Sequence, residues 1–153
     1  TPGRHSRPAA AYQARGEGFV RVPPPSHALY PVVDMFASAA DLGRFTRAIL
    51  GEGELDGVRI LRAESVREML RVQLPDAAPA NALGWQVRTI GGARVLGHEG
   101  EDLGASTALY LDPIARVGAV VLANGDAFQG DDEARTGAIA SVIEELLRSA
   151  RSP

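Results

Sequence analysis

The sequence predicts an α+β fold: an antiparallel sheet of about four strands, a C-terminal helix packed on it, and two shorter helices before the sheet. Three observations predict this. Apolar residues recur at helical spacing in two segments before residue 75 and again near the C-terminus. Between residues 83 and 123 the apolar period falls to two, and turn residues interrupt it at short intervals. Such short connections favour an antiparallel meander.

Composition and charge exclude several function classes. The chain has 153 residues, of which 45% are hydrophobic and 23% charged, which is typical of a single globular domain. A net charge of −3 offers no electrostatic attraction for nucleic acid, so no nucleic-acid partner is expected. No apolar run is long enough to predict a membrane-spanning segment.

The chain contains no cysteine, and all 16 basic residues are arginine. A cysteine nucleophile and thiolate metal ligands are therefore excluded, as are a Schiff base, a P-loop and a lysine general base supplied by this chain. We expect no cofactor and no metal ion.

Residues 1–34 are predicted to form a proline-rich linker or extended segment, with only a weak extended pattern between Tyr12 and Val22. Residues 35–153 are predicted to hold the helices and the sheet. Because the chain starts at Thr1 rather than at Met, we expect it to be a processed or truncated piece of a longer protein.

The two early helices have clear boundaries. Ser38, followed by Asp41, resembles a capping box and predicts a helix over Ala39–Leu50, which Gly51 ends. Asp56-Gly57 then predicts a tight turn or miniature hairpin. A second helix is predicted over 63–72.

The sheet is predicted over 83–123. Its first strand starts at Leu83, turns at Gly91-Gly92 and returns to His98, after which a six-residue loop is expected. The last strand, Val117–Ala123, is apolar on both faces, so it is predicted to be a central strand covered on both sides.

The C-terminal helix is predicted over 132–149, with Asp131 or Asp132 as its N-cap and a Glu144–Arg148 pair in support. Five apolar residues at i, i+3, i+4, i+7 and i+8 are expected to face the sheet: Ile139, Val142, Ile143, Leu146 and Leu147.

Several segments, in order, resemble conserved motifs of one enzyme family. F-A-S-A-A-D-L-G-R-F at 36–45 resembles Y/F-S-T-A-x-D-L/M-x-R/K-F, and G-H-E-G-E-D-L-G at 97–104 resembles G-H-G-G-G-x-P-G. The segments at 60–66 and 83–85, and those at 110–113 and 120–124, resemble further motifs in the same order. The family is that of the serine β-lactamase-related hydrolases, which includes class C β-lactamases, penicillin-binding proteins, D-alanyl-D-alanine peptidases and esterases.

The resemblance implies that the chain is the C-terminal portion of such a hydrolase, which transfers acyl groups from a β-lactam, peptide or ester. By resemblance, His98 holds a substrate carboxylate or polarises the surroundings of the nucleophile, and Gly100 lets the substrate backbone approach. The backbone N–H of Glu101 is the implied oxyanion donor. The family's S-x-x-K and Y-x-N motifs are absent, so the catalytic Ser and Lys are not in this chain.

Alternatives remain open at this stage. Whether the chain is an enzyme is undecided, because a non-catalytic binding or interaction module that retains the scaffold would share these motifs. His98 with Glu99, Glu101 and Asp102 could suggest a metal site, but without a second histidine at ligand spacing they are better interpreted as solvated loop acids. Expected partners are the N-terminal half of the same hydrolase or a second copy bound through an exposed sheet edge. The sequence does not predict a cellular location, although an extracytoplasmic one is common in the family that it resembles.

Overall fold

A computed structural model of the chain describes residues 8–23, 35–77, 80–125 and 133–152, with the backbone alone at 133–137. It confirms the α+β class, with three helices, an antiparallel four-stranded sheet and the C-terminal helix against it. The helices are α1 (Ala39–Leu50), α2 (Ala63–Leu70) and α3 (Glu133–Arg151). The strands are β1 (Ala11–Arg15), β2 (Gly18–Val22), β3 (Glu54–Leu55), β4 (Val58–Arg59), β5 (Gln86–Ile90), β6 (Ala93–Asp102), β7 (Ala105–Asp112) and β8 (Val117–Ala123).

The main sheet has the strand order β5-β6-β7-β8, and every neighbouring pair is antiparallel. The prediction that β8 is a central strand is wrong, because β8 lies at the edge of this sheet. It is nevertheless covered on both faces, since α1 packs on one and α3 on the other. Apolar residues on both faces of a strand indicate that both faces are covered. They do not indicate whether the strand has a neighbouring strand on each side.

The first two strands also differ from their predicted lengths. β5 begins at Gln86 rather than at Leu83, because the Ala82 N–H donates to the Trp85 carbonyl and Gly84 adopts a φ of 74°. β6 continues to Asp102, so the predicted six-residue loop is replaced by a two-residue turn at Leu103-Gly104.

Two hydrophobic cores lie on opposite faces of the sheet. Against α3, the buried cluster consists of Val95, Ala108, Tyr110, Ala119, Ile139, Ile143 and Leu147. Against α1 and α2, it consists of Ile49, Val66, Ala82, Trp85, Leu96 and Leu111. Because strand side chains alternate, odd residues of β6 face α3 and even residues face α1 and α2.

The early helices begin and end for local reasons. Ser38 and Asp41 form the predicted capping box, with the Ser38 hydroxyl accepting from the Asp41 N–H at 3.1 Å. α2 ends at Leu70, two residues before the predicted end. Between the helices, Asp56 and Gly57 both have positive φ, which makes the turn of the predicted miniature hairpin.

The C-terminal helix presents a narrower apolar face than predicted. Ile139, Ile143 and Leu147 are buried, whereas Val142 and Leu146 are 47% and 42% exposed. Arg148 pairs with Glu145 at 2.5 Å rather than with the predicted Glu144. The predicted N-cap residues, Asp131 and Asp132, lie outside the described residues, as do His5 and His27.

The N-terminal region contains a hairpin whose pairing the sequence did not reveal. β1 and β2 pair antiparallel, and the Tyr12 N–H donates to the Asn124 carbonyl at 3.1 Å, just beyond β8. The Asn124 side chain donates in turn to the Ala10 carbonyl at 2.9 Å. The hairpin is thereby tied to the end of the sheet at which β8 finishes.

Asp112 fixes the opposite end of the sheet. Its carboxylate, which is 4% exposed, accepts from the N–H groups of Ile114 and Ala115 at 2.9 and 3.0 Å and from the Arg151 guanidinium at 3.0 Å. One side chain thus closes the β7–β8 turn and attaches the last turn of α3 to it.

Replacing Asp112 is therefore expected to destabilise the fold. Asp112→Ala should lower the free energy of unfolding by about 3 kcal/mol, because it opens the turn and leaves a partly buried Arg151 without its partner. Arg151→Gln should cost about half as much, because the bonds to the turn remain. Urea unfolding followed by circular dichroism measures both values. Equal losses in the two variants would contradict the role assigned to the turn.

Candidate functional site

The three residues that the resemblance implies lie in the second half of β6, on the part of the strand that extends beyond β5. Gln86, the first residue of β5, pairs with Gly97, so β5 gives no partner to residues 98–102. β7 remains paired with β6 up to Asp102. Within the described part of the chain, β6 is therefore paired on one side only from His98 onward.

The register determines which backbone groups face that open side. Residues that flank a two-residue hairpin turn form a hydrogen-bonded pair, and such pairs recur at every second residue. The turn at Gly91-Gly92 therefore directs the backbone N–H and C=O groups of residues 93, 95 and 97 toward β5. The turn at Leu103-Gly104 directs those of residues 96, 98, 100 and 102 toward β7. The N–H groups of Glu99 and Glu101 consequently point to the open side.

His98 is exposed, and its ring is oriented by the backbone. Nδ1 lies within hydrogen-bond distance of the Glu99 carbonyl, which can only accept, so Nδ1 carries the proton. In the neutral ring, Nε2 then holds the lone pair and remains available to a proton or to a donor on a ligand.

Gly100 lies on the same face of the strand as His98, opposite Thr107 of β7. A Cβ added at Gly100 would come within 2.5 Å of Thr107 Oγ1, which itself donates to the Gly100 carbonyl at 3.3 Å. The glycine is thus required by its neighbour in the sheet. It also leaves this part of the strand without a side chain of its own.

The acidic residues are not the solvated loop acids that the sequence suggested, since all three belong to β6. Glu99 is only partly exposed and accepts from the Tyr110 hydroxyl at 2.7 Å, while Arg88 lies 3.8 Å from its other oxygen. Glu101 is exposed, with its side chain on the α3 face. The carboxylate of Glu99 is therefore bound within the fold, and that of Glu101 meets solvent.

Tyr110 and Arg88 extend the site in a way the motifs did not indicate. Tyr110 is 2% exposed and crosses over Gly97, where any Cβ would collide with its ring. Burial, together with the hydrogen bond to Glu99, raises the pKa of Tyr110 to about 12. Only the sheet register could have revealed this cluster, because its members are dispersed along the sequence.

Other site types find little support in the described residues. No three histidine or acidic side chains in these ranges gather as metal ligands would. Nor does any helix in the same ranges have both the length and the apolar character needed to cross a bilayer.

The raised pKa of Tyr110 predicts a measurable alkaline titration. One tyrosine should ionise near pH 12 rather than near 10, as seen by absorbance at 295 nm, and Tyr110→Phe should abolish that component. Because the folded pKa exceeds the unfolded one, stability should fall as the pH rises from about 10 through 12. Tyr12→Phe is the control and should retain the late titration. A late component that survives in Tyr110→Phe would refute the assignment.

Comparison with known proteins identifies the family of the chain. A family model described as Beta-lactamase matches residues 1–144. The Homo sapiens protein named "Putative beta-lactamase-like 1" is 31% identical over 154 residues, which cover 96% of this chain and 28% of that protein. The chain thus spans less than a third of the length of that relative. Because the family model covers far more than half of the chain, the chain belongs to the beta-lactamase family.

Proposed function

We propose that this chain is the C-terminal part of a serine hydrolase of the β-lactamase-related group, in which the open half of β6 forms one wall of the substrate pocket. The observation that carries the proposal is the pair of backbone N–H groups, at Glu99 and Glu101, that face the open side of β6. They lie beside an exposed histidine and a glycine in a chain of this family.

The proposed chemistry is acyl transfer on a β-lactam, peptide or ester. The N–H of Glu101 donates to the oxyanion that forms on the attacked carbonyl, a contribution of about 3 kcal/mol to transition-state stabilisation for one such donor. In its protonated form His98 donates from Nε2 to the substrate carboxylate, and in its neutral form Nε2 accepts from a polar group beside the nucleophile. Gly100 admits the substrate backbone alongside the strand.

The nucleophile must come from elsewhere, because this chain has no lysine and hence no S-x-x-K motif. We assign the catalytic Ser and Lys to the N-terminal part of the same hydrolase and expect the chain alone to be inactive. The outer edge of β8 is the proposed attachment point for that part, or for a second copy of the chain. This edge carries no ionisable side chain over Val117–Ala123.

One observation favours a second candidate function. Glu101 places an exposed carboxylate next to the proposed oxyanion donor, and like charge there opposes the charge that develops in the transition state. A binding module that retains the scaffold without catalysis would tolerate this carboxylate. In that case the open half of β6 would hold a ligand without cleaving it.

The isolated chain should not hydrolyse a chromogenic cephalosporin or a short-chain nitrophenyl ester. The complete protein, if its N-terminal part supplies S-x-x-K and Y-x-N, should hydrolyse at least one of them. Turnover by the isolated chain would overturn the assignment of the nucleophile. A complete protein that has both motifs, folds and yet leaves every substrate intact would favour the binding module.

A pair of substitutions at one position tests the oxyanion donor in the complete protein. Glu101→Pro removes the N–H, which the ladder does not use, and should lower kcat about 100- to 1000-fold. Glu101→Ala keeps the N–H and removes the carboxylate, so kcat should stay the same or rise.

Thermal unfolding of both variants controls for folding, and Glu64→Gln on the exposed surface of α2 controls for a simple loss of charge. Equal activity in Glu101→Pro and Glu101→Ala would exclude this N–H as the donor.

A further inference from the structure

A cavity of about 290 Å³ lies between the second halves of α1 and α2 and the turn that joins β7 to β8. It is separate from the open half of β6, because β7 runs from Ala105, beside that site, to Asp112, beside this turn. At about 3.3 Å per residue, the strand separates the two places by roughly 20 Å. Binding in this cavity would be independent of the proposed hydrolase activity.

The inner wall of the cavity is apolar. Ile49 and Val66, which belong to the core, are 1% and 2% exposed, and Leu50 and Leu70 are partly buried beside them. Pro113 closes the wall on the side of the turn. A hydrocarbon group of modest size would leave water on entering this space, which lies at the small end of the range for ligand pockets.

The rim is basic, and its arginines differ in what they bind. Arg67 pairs with Glu52 at 3.0 Å, and Arg71 pairs with Glu68 at 2.6 Å. Arg116 is exposed, and no carboxylate among the described residues lies within ion-pair distance of it. Of the three rim guanidiniums, that of Arg116 is the one left to an external anion.

The backbone at Arg116 strengthens this interpretation. Its φ is 57°, in the left-handed region that glycine occupies without strain and an arginine does not. The turn is held in this form by the bonds from Ile114 and Ala115 to Asp112, which is itself anchored by Arg151. A strained residue held in place by its surroundings is a common mark of a functional position.

Carbonyl groups near the C-terminal ends of α1 and α2 already accept hydrogen bonds from backbone N–H groups, so they do not need the rim arginines as partners. The carbonyls of Arg47, Ala48 and Ile49 in α1 accept backbone N–H groups, as do those of Glu68 and Met69 in α2. These carbonyls therefore already accept hydrogen bonds, and the exposed charges at the rim are the three guanidiniums and the carboxylate of Glu52, which pairs with Arg67.

We propose that this cavity binds an amphipathic carboxylate, with its apolar tail against Leu50, Leu70 and Pro113 and its carboxylate on the guanidinium of Arg116. The ligand class follows from the pairing of an apolar wall with one uncompensated guanidinium. An uncharged apolar molecule would make no contact with the charge of Arg116, and a small anion without a tail would leave Leu50 and Leu70 in contact with water.

Titration calorimetry of this chain with four probes tests the ligand class. Octanoate should bind saturably, and octanol, acetate and octyltrimethylammonium should each bind at least tenfold more weakly. Amide shifts in a ¹⁵N–¹H spectrum should concentrate at residues 66–71 and 113–117. No saturable binding of octanoate, equal binding of octanol, or shifts confined to other residues would overturn the proposal.

Substitutions at Arg116 separate binding from folding. Arg116→Gln should weaken octanoate binding about tenfold, whereas Arg94→Gln, which removes one exposed charge elsewhere on the sheet, should leave it within twofold. Arg116→Gly should weaken binding equally and raise the Tm by roughly 1–3 °C, because it relieves the left-handed backbone. Undiminished octanoate binding in Arg116→Gln would refute the site. A lower Tm in Arg116→Gly would refute the strain assigned to it.

Discussion

The site depends on one constraint, which is that β6 is twice as long as its neighbour β5. The turn at Gly91-Gly92 starts β6 in register with β5, and the turn at Leu103-Gly104 ends it in register with β7. Since both turns have two residues, they determine whether the N–H and C=O groups of each residue of β6 point toward β5 or toward β7. Beyond Gln86, where β5 begins, no strand in the described parts of the chain pairs with the backbone groups of β6 on that side. The same register that builds the sheet thus turns the N–H groups of Glu99 and Glu101 away from β7, toward the side that β5 leaves open among the described residues.

The elements that the sequence predicts well are those whose signals are local. The capping box at Ser38 and the turns at Asp56-Gly57 and Gly91-Gly92 all form as expected, because each depends on a few adjacent residues. The exact length of β6 escaped prediction, because Glu99 and Glu101 look like loop residues until their register is known. The place of β8 escaped it too, since an apolar strand covered by α1 and α3 resembles a central strand.

The candidate site shows the same division. His98 and Gly100 could be proposed from a motif, because they lie two residues apart in the sequence. The hydrogen bond between Tyr110 and Glu99 could not, since it joins residues 11 positions apart across two strands. Its physical result is that one carboxylate of the open strand is held inside the fold. The other, on Glu101, is exposed to solvent.

The two edges of the sheet also differ in how they would meet another polypeptide. The open half of β6 carries Glu99, Glu101 and Asp102, so two copies of it placed side by side would bring carboxylates together. Charged side chains at a strand edge are a recognised means of preventing that edge from pairing with a strand of another molecule. The edge of β8 has no such protection along Val117–Ala123. The two edges of the sheet therefore differ in charge: acidic side chains line the open half of β6, and no charged side chain lies along β8.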